Sequence, residues 1–127
     1  MIQLLMYKLG CEKHPLEVLI MLKIGLVGVG GISGAHIPAW EAMEGAELVA
    51  ICDIRTERME KYPDKRHYTD FDEMLNSEEL DILDICLPTY LHADFAVKAM
   101  EKGINVICEK PISLKEEDVE RVYSTAE

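Results

Sequence analysis

The sequence predicts an α/β protein: a doubly wound parallel sheet with helices on both faces, in three αβα layers. Three features carry that prediction. Short β-rich apolar runs recur from Leu22 onward, helix-like stretches separate them, and the first run ends in a cluster of glycines. Strands that alternate with helices at this spacing form parallel βαβ units with right-handed crossovers.

"LKIGLVG" is a short apolar run closed by glycine and reads as the first, buried strand. Residues 31 to about 43 follow as a helix, with Ile32, Ala35, Ala39 and Met43 expected on one face. Pro38 fits that helix only near its first turn or at a kink. "AELVAICD" (46–53) is the second strand and "RTERMEKY" (55–62) a short helix. "RHYT" is a brief third strand, and Asp70 is placed to cap the helix in "DFDEMLNS". "LDILDICLP" (80–88) is the fourth strand, stopped by Pro88. "TYLHADFAVKAMEKG" is helical, with Ala93, Ala96, Val97 and Met100 as its stripe and Gly103 as its stop. "INVICEK" is the fifth strand, and Ser113 with Glu116 reads as a capping box for the last helix. The expected strand order is 3-2-1-4-5, a Rossmann-like sheet.

At 127 residues the chain suits one compact domain. A domain of this size buries roughly two-thirds of the surface its unfolded chain exposes, enough for a core of its own. Hydrophobic content of 49% beside 29% charged residues reads as soluble and globular. The net charge of −11 argues against nucleic acid, whose affinity rests on Lys and Arg neutralising phosphates, and against an anionic membrane surface. Anionic small molecules stay open, because N–H groups at a helix start hold a phosphate without basic side chains. Cys11, Cys52, Cys86 and Cys108 show no C-x-x-C spacing and no paired histidines, so no metal site is expected. Three of them lie in apolar runs, as buried thiols of a reducing compartment do, and a cytoplasmic location is expected. No apolar stretch has the length of a membrane-spanning helix.

Residues 1–20 stand apart. Lys8, Glu12, Lys13, His14, Pro15 and Glu17 interrupt any apolar centre that a signal peptide would need. The regular pattern begins at "MLKIGLVGVG", with Met21 as a candidate start. The expected division is therefore an extension over 1–20 and a nucleotide-binding domain over 21–127.

The turn Gly28-Val29-Gly30-Gly31-Ile32-Ser33-Gly34 joins the first strand to the first helix. Gly28 permits a tight turn, Gly30 lets main chain approach a pyrophosphate, and the helix start supplies N–H donors with about half a positive charge. Ser33 replaces the third glycine of the dinucleotide fingerprint. Alone, such a turn is weak. Here it follows a strand, opens a helix and is answered by Asp53 at the end of the second strand, where an acid accepts hydrogen bonds from the adenosine ribose. Like-charge repulsion between Asp53 and a 2′-phosphate makes NAD the first choice of cofactor. Arg55 keeps NADP open, since it can pair with that phosphate or stack on adenine. A glycine turn and an acid also suit a methyltransferase holding S-adenosylmethionine.

Ligands of such sheets lie beyond the carboxyl ends of the strands, where strand order reverses. Leu87, Pro88, Thr89 and His92 follow the fourth strand into that crevice. Thr89 can bond a ribose and Pro88 can wall the pocket. His92 is either near the nicotinamide or a satisfied residue of the helix start. The fifth strand delivers Glu109, Lys110 and Pro111 to the same edge.

With "KIGLVGVGGISGAHIPAW", "ELVAICDIR" and "DILDICLPTYLHADFAVKAMEKGINVICEKPIS" in place, the chain from about Leu22 onward resembles the dinucleotide-binding half of the Gfo/Idh/MocA oxidoreductases. The Glu-Lys-Pro after the fifth strand is the more specific part of that match. The resemblance implies an NAD(P)-dependent dehydrogenase acting on a sugar, polyol or related CH–OH substrate. It implies that Lys110 lies near nicotinamide and substrate, where it helps bind and polarise the reacting group. A homo-oligomer is also expected. Members often have Thr or Ser on the fourth strand where this chain has Cys86, which leaves contacts there less defined. They continue into a second α/β domain that supplies the substrate pocket and usually a catalytic histidine, and this sequence does not include it. None of His14, His36, His67 and His92 is placed to replace that histidine. Two readings remain: the cofactor half of an oxidoreductase, inactive alone and prone to self-associate, or a stand-alone dinucleotide-binding sensor or interaction module.

Overall fold

In the computed structural model, residues 20–127 are described. The extension expected over 1–20 lies outside them except for its last residue, and Cys11 lies outside them too.

All five apolar runs form strands: β1 Leu22–Val27, β2 Ala46–Cys52, β3 Arg66–Tyr68, β4 Ile82–Ile85 and β5 Asn105–Cys108. They make one sheet in the order β3-β2-β1-β4-β5, and every pairing is parallel. Four helices accompany them: α1 Ser33–Glu41, α2 Phe71–Ser77, α3 His92–Glu101 and α4 Glu116–Ala126. Side chains of a strand alternate between faces, and helices cover both, so central strands read as continuous apolar runs. Ile24, Leu26, Leu48 and Ile82 pack with Ile37 and Trp40 of α1. Val27, Val49, Leu83 and Ile85 pack with Phe71 and Met74 of α2 and Ala96 and Ala99 of α3. Each large aliphatic side chain buried this way contributes roughly 1.5–3 kcal/mol. α4 packs against α3 as an outer layer.

The strands end in step. Val27 pairs with Cys52 and with Ile85, and Ile85 pairs with Cys108, so β1, β2, β4 and β5 present their carboxyl ends along one edge. Because β1 lies between β2 and β4, the chain leaves it one way and returns on the other side. The crevice of a doubly wound sheet opens at that point.

Several local expectations are corrected. The buried stripe of α1 is Ser33, Ile37 and Trp40, while Ile32, Ala35 and Ala39 are exposed and Met43 is only half-buried. The bulky Ile37 and Trp40 set the helix phase, and the alanines gain little from burial. Pro38 sits inside α1, past the first turn. Of the helix expected over 55–62, only a 3₁₀ turn at Thr56–Arg58 forms, with Met59 as its buried anchor. β4 is shorter than the predicted 80–88 run, since its chain turns away before Pro88. Asp70 caps α2 as expected, accepting from Glu73 N at 2.8 Å. Gly103 ends the α3 segment with φ of 77°. Ser113 and Glu116 do not form a capping box: Lys115 is the N-cap of α4, and Ser113 Oγ instead accepts from Lys115 N at 3.1 Å.

Candidate functional site

The glycine turn is built around Gly28, whose φ is 93° and whose N–H donates to Cys52 O at 2.9 Å. A Cβ there would stand 2.7 Å from the carbonyl oxygen of Cys86 and 3.0 Å from Leu87 Cδ2. The sheet itself therefore requires this glycine. Gly30 and Gly31 differ: a Cβ on Gly30 would meet only Arg58 Nη1 at 3.7 Å, and one on Gly31 would meet nothing within 4 Å. Packing does not explain either residue, and both leave main chain open to a ligand. Ile32 is the N-cap of α1, no side chain caps that helix start, and its first turn carries no acid. Such an end attracts a phosphate. Ser33, in place of the fingerprint's third glycine, is buried and donates from Oγ to Gly30 O at 2.6 Å.

Asp53, at the end of β2, is buried and holds the turn from below. Its Oδ2 accepts from Val29 N at 2.8 Å, and its Oδ1 accepts from Arg55 N at 2.8 Å. An ionised carboxylate has about four acceptor positions, so Oδ1, with one donor, keeps capacity for a ribose hydroxyl. The residue fits the dinucleotide reading while also bracing the loop. Arg55 reaches Asp53 through its main chain, and its side chain is exposed. The guanidinium beside Asp53 belongs to Arg58, 3.5 Å from Oδ2, a residue the sequence reading missed. The signal available was a second base one turn beyond Arg55.

Across the crevice, Leu87 rests against the glycine turn, Pro88 is exposed, and Thr89 opens the 3₁₀ turn Thr89–Leu91. His92 is 1% exposed, and its two ring nitrogens lie 2.8 Å from Leu87 O and 2.8 Å from Pro111 O. It joins the exit of β4 to the turn after β5. That turn holds half-buried Glu109, exposed Lys110 and exposed Pro111, with a cis bond between the last two.

A second histidine enters from α1, which the sequence reading set aside. His36 Nδ1 lies 2.7 Å from Asp84 Oδ2, and Nε2 lies 2.6 Å from Glu109 Oε1. Asp84, on β4, is 1% exposed and also accepts from Trp40 Nε1 at 2.7 Å. Burial lowers the His36 pKa, but the hydrogen bonds and charges of Asp84 and Glu109 outweigh it, and the net shift is upward. His36, Asp84 and Cys86 offer ligand atoms within 4.8 Å of one another. Burial, reinforced by Asp84, pushes the Cys86 thiol far up, and the ligand atoms of all three are already engaged with one another, with Trp40 and with Glu109. The group reads as a hydrogen-bonded network. Among the described residues, no buried side-chain nitrogen or oxygen lacks a partner.

A glycine turn with bare main chain, an uncapped helix start and an acid on the adjoining strand define a dinucleotide-binding α/β domain. A family model described as "Oxidoreductase family, NAD-binding Rossmann fold" (GFO_IDH_MocA) matches residues 22–127. The chain belongs to this family and comprises its NAD-binding domain. It is 34% identical over 109 residues to the D-apiose dehydrogenase of Paraburkholderia graminis, covering 83% of this chain and 29% of that protein. It is likewise 34% identical over 107 residues to the inositol 2-dehydrogenase of Salmonella typhimurium, covering 80% of this chain and 32% of that one. The WlbA dehydrogenase of Bordetella pertussis, solved with NADH and UDP-GlcNAcA, superposes with a TM-score of 0.79 at 33% identity, over 84% of this chain and 34% of that one. The chain thus spans about a third of the length of the proteins it matches. Among the described residues, no helix is long and apolar enough to cross a membrane.

Proposed function

We propose that this chain is the cofactor-holding part of an NAD-dependent dehydrogenase that acts on a sugar, polyol or related CH–OH substrate. The observation that carries the reading is the glycine pair at Gly30 and Gly31, left bare by the protein at the uncapped start of α1, on the same sheet edge as Lys110. In this reading Gly28, Gly30, Gly31 and Ile32 receive the pyrophosphate and Asp53 the adenosine ribose. Arg55 lies over the adenine side. Leu87, Pro88 and Thr89 wall the crevice, and His92 serves it by fixing Leu87 and Pro111. Glu109, Lys110 and Pro111 meet the nicotinamide end.

NAD, when bound, accepts or supplies the hydride; the protein contributes position and electrostatics. Lys110 is the proposed catalytic residue. Its compact ammonium steadies negative charge developing on the substrate oxygen, an effect that grows as the site excludes water. The relatives' names, D-apiose dehydrogenase and inositol 2-dehydrogenase, favour a carbohydrate or polyol substrate over the reading as a non-catalytic sensor.

NAD is preferred over NADP because the Asp53 carboxylate would repel a 2′-phosphate and the nearby Arg58 guanidinium is already turned to Asp53. Calorimetric titration with each dinucleotide tests this. NAD binding tighter than NADP is expected. Absence of binding to either at millimolar concentration sinks the cofactor assignment for this chain, and tighter NADP binding overturns the weight given to Asp53. A homo-oligomer in the cytoplasm completes the proposal. It is supported by the buried thiols of Cys52 and Cys86 and by an open groove of about 750 Å³ between Ala35 and Ala39 of α1 and Ile107 of β5. A monodisperse monomer by light scattering at micromolar concentration would contradict the association.

A further inference from the structure

We propose that His36, carrying a proton on both ring nitrogens between Asp84 and Glu109, is the positioning residue that fixes the Glu109-Lys110-Pro111 turn against α1. The inference rests on the reading of that turn as the nicotinamide end of the site.

The protonation state follows from the partners. Asp84 is 1% exposed, and a carboxylate buried that far needs donors. Trp40 Nε1 donates to its Oδ2 at 2.7 Å, and Cys86 Sγ donates to its Oδ1 at 3.7 Å. Both partners give hydrogens, so Asp84 is an acceptor, and His36 Nδ1 at 2.7 Å must be an N–H. A neutral imidazole has then no proton left for Nε2. Yet Nε2 lies 2.6 Å from Glu109 Oε1, a charge-assisted distance. The imidazolium satisfies both contacts. The groups facing it are Asp84 and Cys86 from β4 and Glu109 from the turn after β5. Cys108 stands next to Glu109 with its thiol pushed up to about 11, by burial first and then by Glu109 and Asp84. Trp40 lies on its own helix, and Lys110 follows Glu109 as an exposed cation.

The reach of the bond argues for positioning. Asp84 already has the indole of Trp40, while Glu109 is 35% exposed at its side chain and has water within reach. The second His36 bond therefore gains little for the core. What it does is join α1 to a residue 73 positions later, immediately before Lys110. On the other side His92 holds Pro111 O, immediately after Lys110. Lys110 is exposed between two residues that are each held by a histidine from a different helix. Loss of the His36 proton leaves Glu109 facing a lone pair and frees that flank.

Three measurements on the full chain test this. In ¹⁵N-histidine NMR, His36 is expected to be doubly protonated at neutral pH and to titrate above the ordinary 6.5. A neutral tautomer at neutral pH overturns the proposal. The ¹⁵N relaxation order parameter of Lys110 is expected to fall in His36→Gln and, as a substitution near the surface that spares Asp84, in Glu109→Gln. Unchanged order in both overturns the clamp. In calorimetry, NAD affinity of the wild type is expected to weaken about tenfold as pH rises through the His36 titration, with a flat profile in His36→Gln. Parallel pH profiles for the two overturn the positioning role. If the wild type binds no dinucleotide, the cofactor reading fails on its own, and the histidine titration and the order of Lys110 still decide the clamp.

Discussion

The two ends of the site edge are held by different kinds of bond. At the β1–β2 end main-chain N–H groups are the donors: Asp53 takes those of Val29 and Arg55, and Gly28 lies against the Cys86 carbonyl. At the β4–β5 end side chains are, with His36 reaching Glu109 and His92 reaching Pro111. The donors of the first set are main-chain N–H groups, which carry no titrating proton. The His36 bond to Glu109 is made by one. The first end is therefore a fixed cradle, and the second is one whose geometry depends on a titrating group.

The largest expected effect lies at the fixed end. Gly28→Ala combines a φ of 93° with a Cβ 2.7 Å from a carbonyl oxygen, and a loss of about 3 kcal/mol or more is expected in urea unfolding. A wild-type midpoint would break the claim that this end is rigid. Asp53→Ala leaves the Val29 and Arg55 N–H groups without their acceptor, for a loss of about 2 kcal/mol together with weaker NAD binding. At the other end the effect depends on pH. The folded His36 pKa lies above 6.5, so its stabilisation is complete below that value and is lost as pH rises through the raised one. The wild-type urea midpoint is expected to fall over that rise, and that of His36→Gln to fall less. A flat wild-type profile would erase the contrast. Ser33→Ala removes one hydrogen bond to Gly30 O and is expected to cost about 1 kcal/mol. Gly30→Ala is the smallest for the fold, within about 0.5 kcal/mol, because nothing crowds a Cβ there. Its expected loss is in NAD affinity, by about tenfold.

The same contrast explains what the sequence disclosed. Strand order, the parallel sheet, the glycine turn and Asp53 are written locally, as apolar runs, turn residues and an acid at a strand end. Their periods and spacings reflect main-chain geometry, which a sequence repeats. The His36–Asp84–Glu109 network joins residues 48 and 73 positions apart through side chains, and no local pattern marks such a contact. Asp84 interrupts an apolar strand, and its burial makes sense only once Trp40 and His36 stand over it. The face of α1 was misplaced for a related reason. Burial of the bulky Ile37 and Trp40 sets the phase, and the fit of Ser33 against Gly30 agrees with it, so the alanines point outward. Arg58 was missed because its partner, Asp53, is reached only after the chain makes a 3₁₀ turn.

Trp40 gives the network an optical consequence. It is the sole tryptophan of the chain, it is 7% exposed, and its indole N–H bonds the same Asp84 oxygen that His36 bonds. Its emission therefore comes from one site, joined to the titrating ring through one shared carboxylate oxygen, and a protonated imidazole quenches indole more strongly than a neutral one. The domain carries its own fluorescent indicator for the charge of His36, readable without a label.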